Sequence, residues 1–145
     1  MSARLSSETL HATTVAKDGR AVIISGRSGS GKSDLALRLL DRGFVLVSDD
    51  QTYLRVTDGR LVAAAPPTIK GKLEVRGIGI VEVESVDDVA VCLLVEIASE
   101  VERLPGEGRY RQLLGLEIPL IGVDAMTASA PAKVALALDR LGLKP

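Results

Sequence analysis

Apolar and β-branched residues fall in short blocks along this chain, most alternating with the two-residue period of strands and few with the spacing of a helix. Leu10 to Lys17 alternates well enough to predict a strand. Asp18-Gly19 is a two-residue hairpin signal, and Arg20 to Ser25 predicts a buried strand on its far side. Antiparallel pairing about that turn sets His11 opposite Arg27 or just beyond. From Ser33 to Arg42, Leu35, Ala36, Leu39 and Leu40 recur at helical spacing, and Gly43 stands where a helix-ending glycine belongs. Phe44 to Ser48 predicts a second buried strand, running into Asp49-Asp50. Gln51 to Val56 and Arg60 to Ala65 flank Thr57-Asp58-Gly59, a second hairpin, which Pro66-Pro67 ends. Lys72 to Val83 alternates as one strand interrupted at Gly77 and Gly79, a pattern of a bulge or of close backbone approach to a ligand, with Glu74 and Arg76 on one face. Val89 to Ile97 is nearly continuous apolar sequence and predicts a central strand. The polar stretch Ala98 to Arg109 reads as a loop carrying Arg103. Tyr110 to Glu117 and Ile118 to Val123 predict strands parted near Gly115 or Pro119, and Pro131 to Leu141 an amphipathic helix with Pro131 in its first turn. The order predicts an α/β fold rich in strands and poor in helices.

Composition narrows the partners. A chain of 145 residues, 46% hydrophobic and 26% charged, fits one globular domain over residues 1–145. The formal net charge of −1 supplies no field for nucleic acid or a membrane surface. No apolar run approaches the ~18 residues of a spanning helix, and the first residues lack a secretory core, so the expected location is cytoplasmic. The single Cys92 lies inside an apolar run and reads as a core residue.

The chemistry enters at Gly26-Arg27-Ser28-Gly29-Ser30-Gly31-Lys32-Ser33, a complete G-x-x-x-x-G-K-[ST] phosphate-binding loop. It stands between a predicted strand and a predicted helix, the context such a loop requires. Its glycines let backbone N–H groups turn toward an anion, and the helix start adds its positive dipole end. Lys32 is placed to reach the outer phosphates of a nucleotide such as ATP, and the Ser33 hydroxyl to ligate Mg²⁺. Asp49 and Asp50 end a strand at the edge of an α/β sheet where ligands sit, so they can hold Mg²⁺ or accept a proton from an attacking hydroxyl. Hairpin register brings His11 to the level of the loop, although a strand-end histidine in solvent fits the periodicity equally well. Glu74 and Arg76 are either a functional pair or a surface salt bridge worth about 0–1 kcal/mol.

His11, the loop from Gly26 to Ser33, Arg42-Gly43, Ser48-Asp49-Asp50, Ala65-Pro66-Pro67 and above all Leu73-Glu74-Val75-Arg76-Gly77-Ile78-Gly79-Ile80 together resemble the catalytic domain of HPr kinase/phosphorylase. Order and spacing match from residue 8 to about 142, and the Glu-x-Arg-Gly-x-Gly-Ile element is far more specific than the loop. The resemblance implies an ATP-dependent serine kinase acting on HPr, the phosphocarrier of the sugar phosphotransferase system, and able to reverse the reaction by phosphorolysis. It further implies Lys32 on the phosphates, Ser33 and Glu74 around Mg²⁺, His11 and Arg103 in the active centre, Asp50 as acid/base with Asp49 beside it, and a homohexamer. A carboxylate beside a second carboxylate has a raised proton affinity, which suits such a base.

Three departures stand against the family pattern. The family's additional N-terminal domain has no counterpart here, so the expectation is a short, catalytic-domain form. Asp34 stands where the family commonly has Glu. A late Gly-Arg-Asn segment is missing from residues 123–131, which contain no Lys or Arg, so the forward reaction is expected to outpace phosphorolysis. Two other readings use the same loop: a small-molecule kinase, for which only Arg103, Arg109 and Arg111 lie in a suitable lid region, and a nucleotide-binding regulator without turnover.

Overall fold

A computed structural model describes residues 6–98 and 108–144 of the chain. Its elements follow in the order β1 (Ser7–Leu10), β2 (Thr13–Lys17), β3 (Arg20–Ser25), α1 (Lys32–Leu40), β4 (Val45–Ser48), β5 (Thr52–Thr57) and β6 (Arg60–Ala64). Then come β7 (Lys72–Val75), β8 (Gly79–Glu82), β9 (Val89–Ile97), β10 (Tyr110–Leu113), β11 (Leu116–Val123) and α2 (Ala130–Leu141). The result is the strand-dominated α/β fold expected. No helix among the described residues is long and apolar enough to cross a membrane.

Turn chemistry fixes the local pairings. Asp18 and Gly19 (φ +53° and +74°) and Asp58 and Gly59 (φ +51° and +74°) both take the left-handed conformation that a two-residue hairpin turn demands. They close β2 on β3, ending at Lys17↔Arg20, and β5 on β6, ending at Thr57↔Arg60. A third such turn at Leu114-Gly115 (φ +50° and +82°) joins β10 to β11, so the chain reverses at Gly115, and Pro119 pairs inside β11 opposite Tyr110. Helix α1 ends as the sequence suggests: the Gly43 N–H bonds to Leu40 O (3.2 Å) and the Phe44 N–H to Leu39 O (3.1 Å), the paired bonds of a glycine-ended helix.

The main sheet runs β1-β5-β6-β9-β3-β2-β4, and β11 also pairs with β9. Strand β9 is central, parallel to β3 and β11 and antiparallel to β6. Its other edge is shared: β6 takes Val89 and Ala90, and β11 takes Leu94 to Ile97. Alternation sorts the core into two layers. Val22, Ile24 and Val95 face the layer containing Leu35 and Leu39 of α1 and Val134 and Leu138 of α2. Ala21, Ile23 and Leu94 face the other, made with Leu54, Leu61 and Ile118. Cys92 and Leu93, though adjacent, share the helix-side layer because pairing with β3 slips between Ala21 and Val22, leaving an extra β9 residue in a bulge. Cys92 is thus the core residue its apolar run implies.

Two expectations need correction. The stretch from Leu10 to Lys17 is not one strand: it breaks at His11-Ala12, β2 pairing with β3 while β1 crosses to pair Leu10 with Thr52 of β5. The cause is distant in sequence, since the Thr52 hydroxyl donates to Ala12 O (2.9 Å) and holds the bend. The stretch from Lys72 to Val83 is likewise not an interrupted strand but a hairpin, β7 on β8, with Val75 paired to Gly79 and the Ile78 N–H bonded to Val75 O (3.0 Å). Gly77 and Gly79, at φ +86° and +114°, make a tight turn, so Arg76 sits in that turn rather than on a strand face with Glu74. Leu73 anchors the hairpin in the core beside α1.

Candidate active site

The phosphate loop leaves the end of β3 and enters α1 at Lys32, with Gly31 at φ +105°. Gly26 is a glycine for space: a Cβ there would stand 2.6 Å from Ser30 Oγ and 3.2 Å from Ile97 Cβ. The Lys32 residue is only 7% exposed. Its ammonium donates to Gly26 O (2.9 Å) and Arg27 O (3.0 Å), leaving one of its donors over. No carboxylate among the described residues lies within ion-pair distance of it. A buried cation without a counter-ion is costly unless an anion completes it, which is the chemistry of a phosphate site. Ser30 Oγ, buried without a partner, is a further unsatisfied polar atom in the same loop.

The acidic pair follows β4 and is split by one backbone conformation. Asp50 has φ +67°, and the Gln51 N–H bonds to Asp49 O (2.7 Å) around it, a three-residue turn of the uncommon left-handed kind. The kink sends the two carboxylates apart. Asp49, 6% exposed, accepts from three donors: Ser33 Oγ (2.6 Å) and Thr13 Oγ1 (3.0 Å) at Oδ1, and the Glu74 N–H (3.0 Å) at Oδ2. Asp50 turns outward, where its Oδ1 lies 3.2 Å from His11 Nε2, both side chains about 60% exposed.

The structure thus gathers Lys32, Ser33, Asp49, Asp50 and His11 around the junction of β3, β4 and the β1–β2 bend. Glu74 joins through its backbone only; its carboxylate forms no hydrogen bond or ion pair among the described residues. Arg103 lies outside the described residues. Ser33 Oγ and Asp49 converge as hard oxygen donors, which suits Mg²⁺, an ion that takes few protein ligands and fills its shell with phosphate and water. Thr13 was missed from the sequence although it is fully buried and touches both acidic residues, since its hydroxyl also accepts from the Asp50 N–H (3.2 Å). The readable signal was a Thr13-Thr14 pair leading into the apolar Val15-Ala16 of the same strand.

Beyond the loop, Arg38 ties α1 to the segment before α2, donating to Ala125 O and to Thr127 O (3.2 Å) and pairing with Asp34 one turn back (3.1 Å). That segment lies against the loop's end, since a Cβ on Gly31 would stand 3.5 Å from Ala125 Cβ.

A buried lysine with no counter-ion among the described residues, in a glycine loop at a strand-to-helix turn with an acidic pair beside it, defines a phosphate-binding-loop domain. The family model described as the HPr serine kinase C-terminal domain matches residues 3–138, and the chain belongs to that family. Among its relatives, the HPr kinase/phosphorylase of Caldicellulosiruptor bescii is 36% identical over 126 residues, covering 78% of this chain and 40% of the relative. That of Ralstonia pickettii is 32% identical over 128 residues, covering 80% and 40%. The chain therefore spans about two-fifths of the length of these curated relatives. The solved structure of the Hpr(Ser) kinase/phosphatase from Coxiella burnetii superposes with a TM-score of 0.81 at 27% identity, covering 91% of this chain and 88% of that one.

Proposed function

We propose that this chain transfers the γ-phosphoryl group of ATP to a serine hydroxyl of HPr. The observation that carries the reading is the division of labour in the acidic pair: Asp49 faces inward onto Ser33 of the phosphate loop, while Asp50 faces solvent beside His11. A protein hydroxyl arriving from outside meets Asp50 first. In this reading the serine oxygen bonds to the γ-phosphorus as the bond to the bridging oxygen breaks and ADP leaves. Asp50 accepts the serine proton, a role worth roughly 10²–10⁴-fold in rate. The His11 imidazole orients that carboxylate. Lys32 offers its remaining donor to the phosphates in a site screened from water, where such contacts count most. Ser33 and Asp49, which already converge, would hold Mg²⁺ together with Glu74, whose N–H meets Asp49; the ion would supply charge neutralisation on the phosphates. Arg103 would add positive charge.

The return of phosphate is expected to be slower than the forward transfer. Near the loop, residues 123–131 offer no cation of their own, and the Arg38 guanidinium is engaged by the carbonyls of Ala125 and Thr127. A homohexameric assembly and a cytoplasmic location go with this reading.

The test is to incubate the chain with HPr, ATP and Mg²⁺ and map the phosphate on HPr. One phosphoserine that disappears with Lys32→Ala supports the reading. Unchanged transfer by Lys32→Ala would remove the loop from the mechanism, and phosphorylation of a small metabolite in place of HPr would make the chain a small-molecule kinase.

A further inference from the structure

Thr13 lies on β2 with no exposed surface, at a strand position where valine would satisfy both the β geometry and the core. A hydroxyl buried there is costly unless it is bonded, and valine and threonine are not interchangeable for that reason. The Thr13 hydroxyl is bonded in both directions: it donates to Asp49 Oδ1 (3.0 Å) and accepts from the Asp50 N–H (3.2 Å). One oxygen therefore clamps the inward carboxylate and the backbone of the outward one.

The neighbouring threonines already brace the bend between β1 and β2, so this hydroxyl is not needed there. Thr52 has a single hydroxyl proton and gives it to Ala12 O (2.9 Å). The 2.8 Å contact between Thr14 Oγ1 and Thr52 Oγ1 must then run from Thr14 to Thr52. Thr14, Thr52 and Ala12 thus form a fully buried relay that braces the bend beside His11. Thr13 stands outside it, bonded only to the acidic pair.

We propose that Thr13 is a positioning residue for phosphoryl transfer, holding Asp49 against Ser33 and fixing the left-handed turn that aims Asp50 outward. The inference rests on the reading of Asp49 and Asp50 given above, but its geometric half stands without it. Removing the hydroxyl leaves Asp49 with two donors and the Asp50 N–H without its acceptor. A hydrogen bond to a charged group, lost from a site that must be held in place, corresponds to roughly a 10- to 100-fold fall in rate.

The experiment compares Thr13→Val, Thr13→Ser and the parent chain in two measurements. The first is amide hydrogen exchange at Asp50 in the chain alone. Thr13→Val is expected to accelerate exchange at Asp50 selectively, and Thr13→Ser to leave it near the parent rate. The second is steady-state transfer to HPr. Thr13→Val is expected to lower kcat by roughly 10- to 100-fold with the KM for ATP within about threefold, and Thr13→Ser to restore most of kcat. If Thr13→Val does not fold, Thr13→Cys takes its place, keeping the volume with a weaker donor and an intermediate loss expected. Equal losses in folded Thr13→Ser and Thr13→Val would make the residue a packing element and overturn the proposal, as would unchanged Asp50 exchange in Thr13→Val. A parent chain that transfers nothing to HPr while Asp50 exchange responds as expected would sink the kinase reading and leave the clamp standing.

Discussion

Replacing Gly26 with alanine isolates what the phosphate loop needs from its first glycine. The backbone there lies outside the left-handed region, so the change is one of space alone. The new methyl would stand 2.6 Å from Ser30 Oγ and 3.2 Å from Ile97 Cβ, against ordinary contacts at 3.4 Å and beyond. Ser30 Oγ is itself buried and Ile97 Cβ belongs to the central strand, so neither contact is relieved without a shift of the loop. The loop must shift by several tenths of an ångström, and overpacking of this size costs about 1–3 kcal/mol. That corresponds to a fall in Tm of about 3–10 °C for a chain of this length. The shift also moves the Gly26 carbonyl that holds the Lys32 ammonium, so ATP affinity should drop with it. Ser30→Ala alone removes an unbonded hydroxyl and should be close to neutral. In the double variant the 2.6 Å clash is gone and the Ile97 contact remains, so about half the loss should return. Denaturant unfolding of the four chains gives the coupling directly. Strict additivity of the two changes would refute the steric explanation.

Other substitutions separate geometry from chemistry. At Asp50 (φ +67°), glycine should be more stable than alanine by about 1–2 kcal/mol, while both lose transfer; thermal melts giving the opposite order would show that the left-handed turn is not maintained. Asp87 accepts from the Ala65 N–H (3.1 Å) and pairs with Lys70 (2.7 Å); burial pushes its carboxyl upward, but the Lys70 and Ala65 bonds outweigh it and the net shift is down. A lowered carboxyl stabilises the fold above its unfolded value of about 4 and loses that contribution as pH falls through the folded value. Asp87→Asn should therefore be less stable than the parent by about 1 kcal/mol at pH 7, with the gap closing in acid; a constant gap down to pH 2 would contradict this. Burial pushes the Cys92 thiol up, so iodoacetamide at pH 8 should leave it unmodified until the chain unfolds, and rapid labelling of the folded chain would contradict its place in the core.

What the sequence made legible was what short-range chemistry decides. Asp18-Gly19 and Asp58-Gly59 admit one kind of tight turn, and the apolar run of β9 has no place except the middle of a sheet covered on both faces. The break at His11-Ala12 could not be seen, because no glycine or proline marks it and its cause is a hydroxyl at Thr52. Gly77 and Gly79 were visible as unusual positions, but a bulge and a turn call for the same residue. The loop lysine and serine were legible from their motif. Which of two adjacent carboxylates faces the loop depends on a left-handed turn at Asp50 that an aspartate tolerates without requiring, so adjacency alone left the inward role of Asp49 unread.

The central claim is that this site moves a phosphoryl group onto a protein serine through Asp50, and intact-mass measurement of HPr tests it most directly. HPr is incubated with ATP, Mg²⁺ and either the parent chain or Asp50→Asn, with nucleotide binding to both chains measured alongside. The expected result is a gain of one phosphate on serine with the parent, a rate lower by roughly 10²–10⁴-fold with Asp50→Asn, and similar nucleotide affinity for the two. Full transfer by Asp50→Asn, or none by a parent chain that binds ATP, would contradict the account.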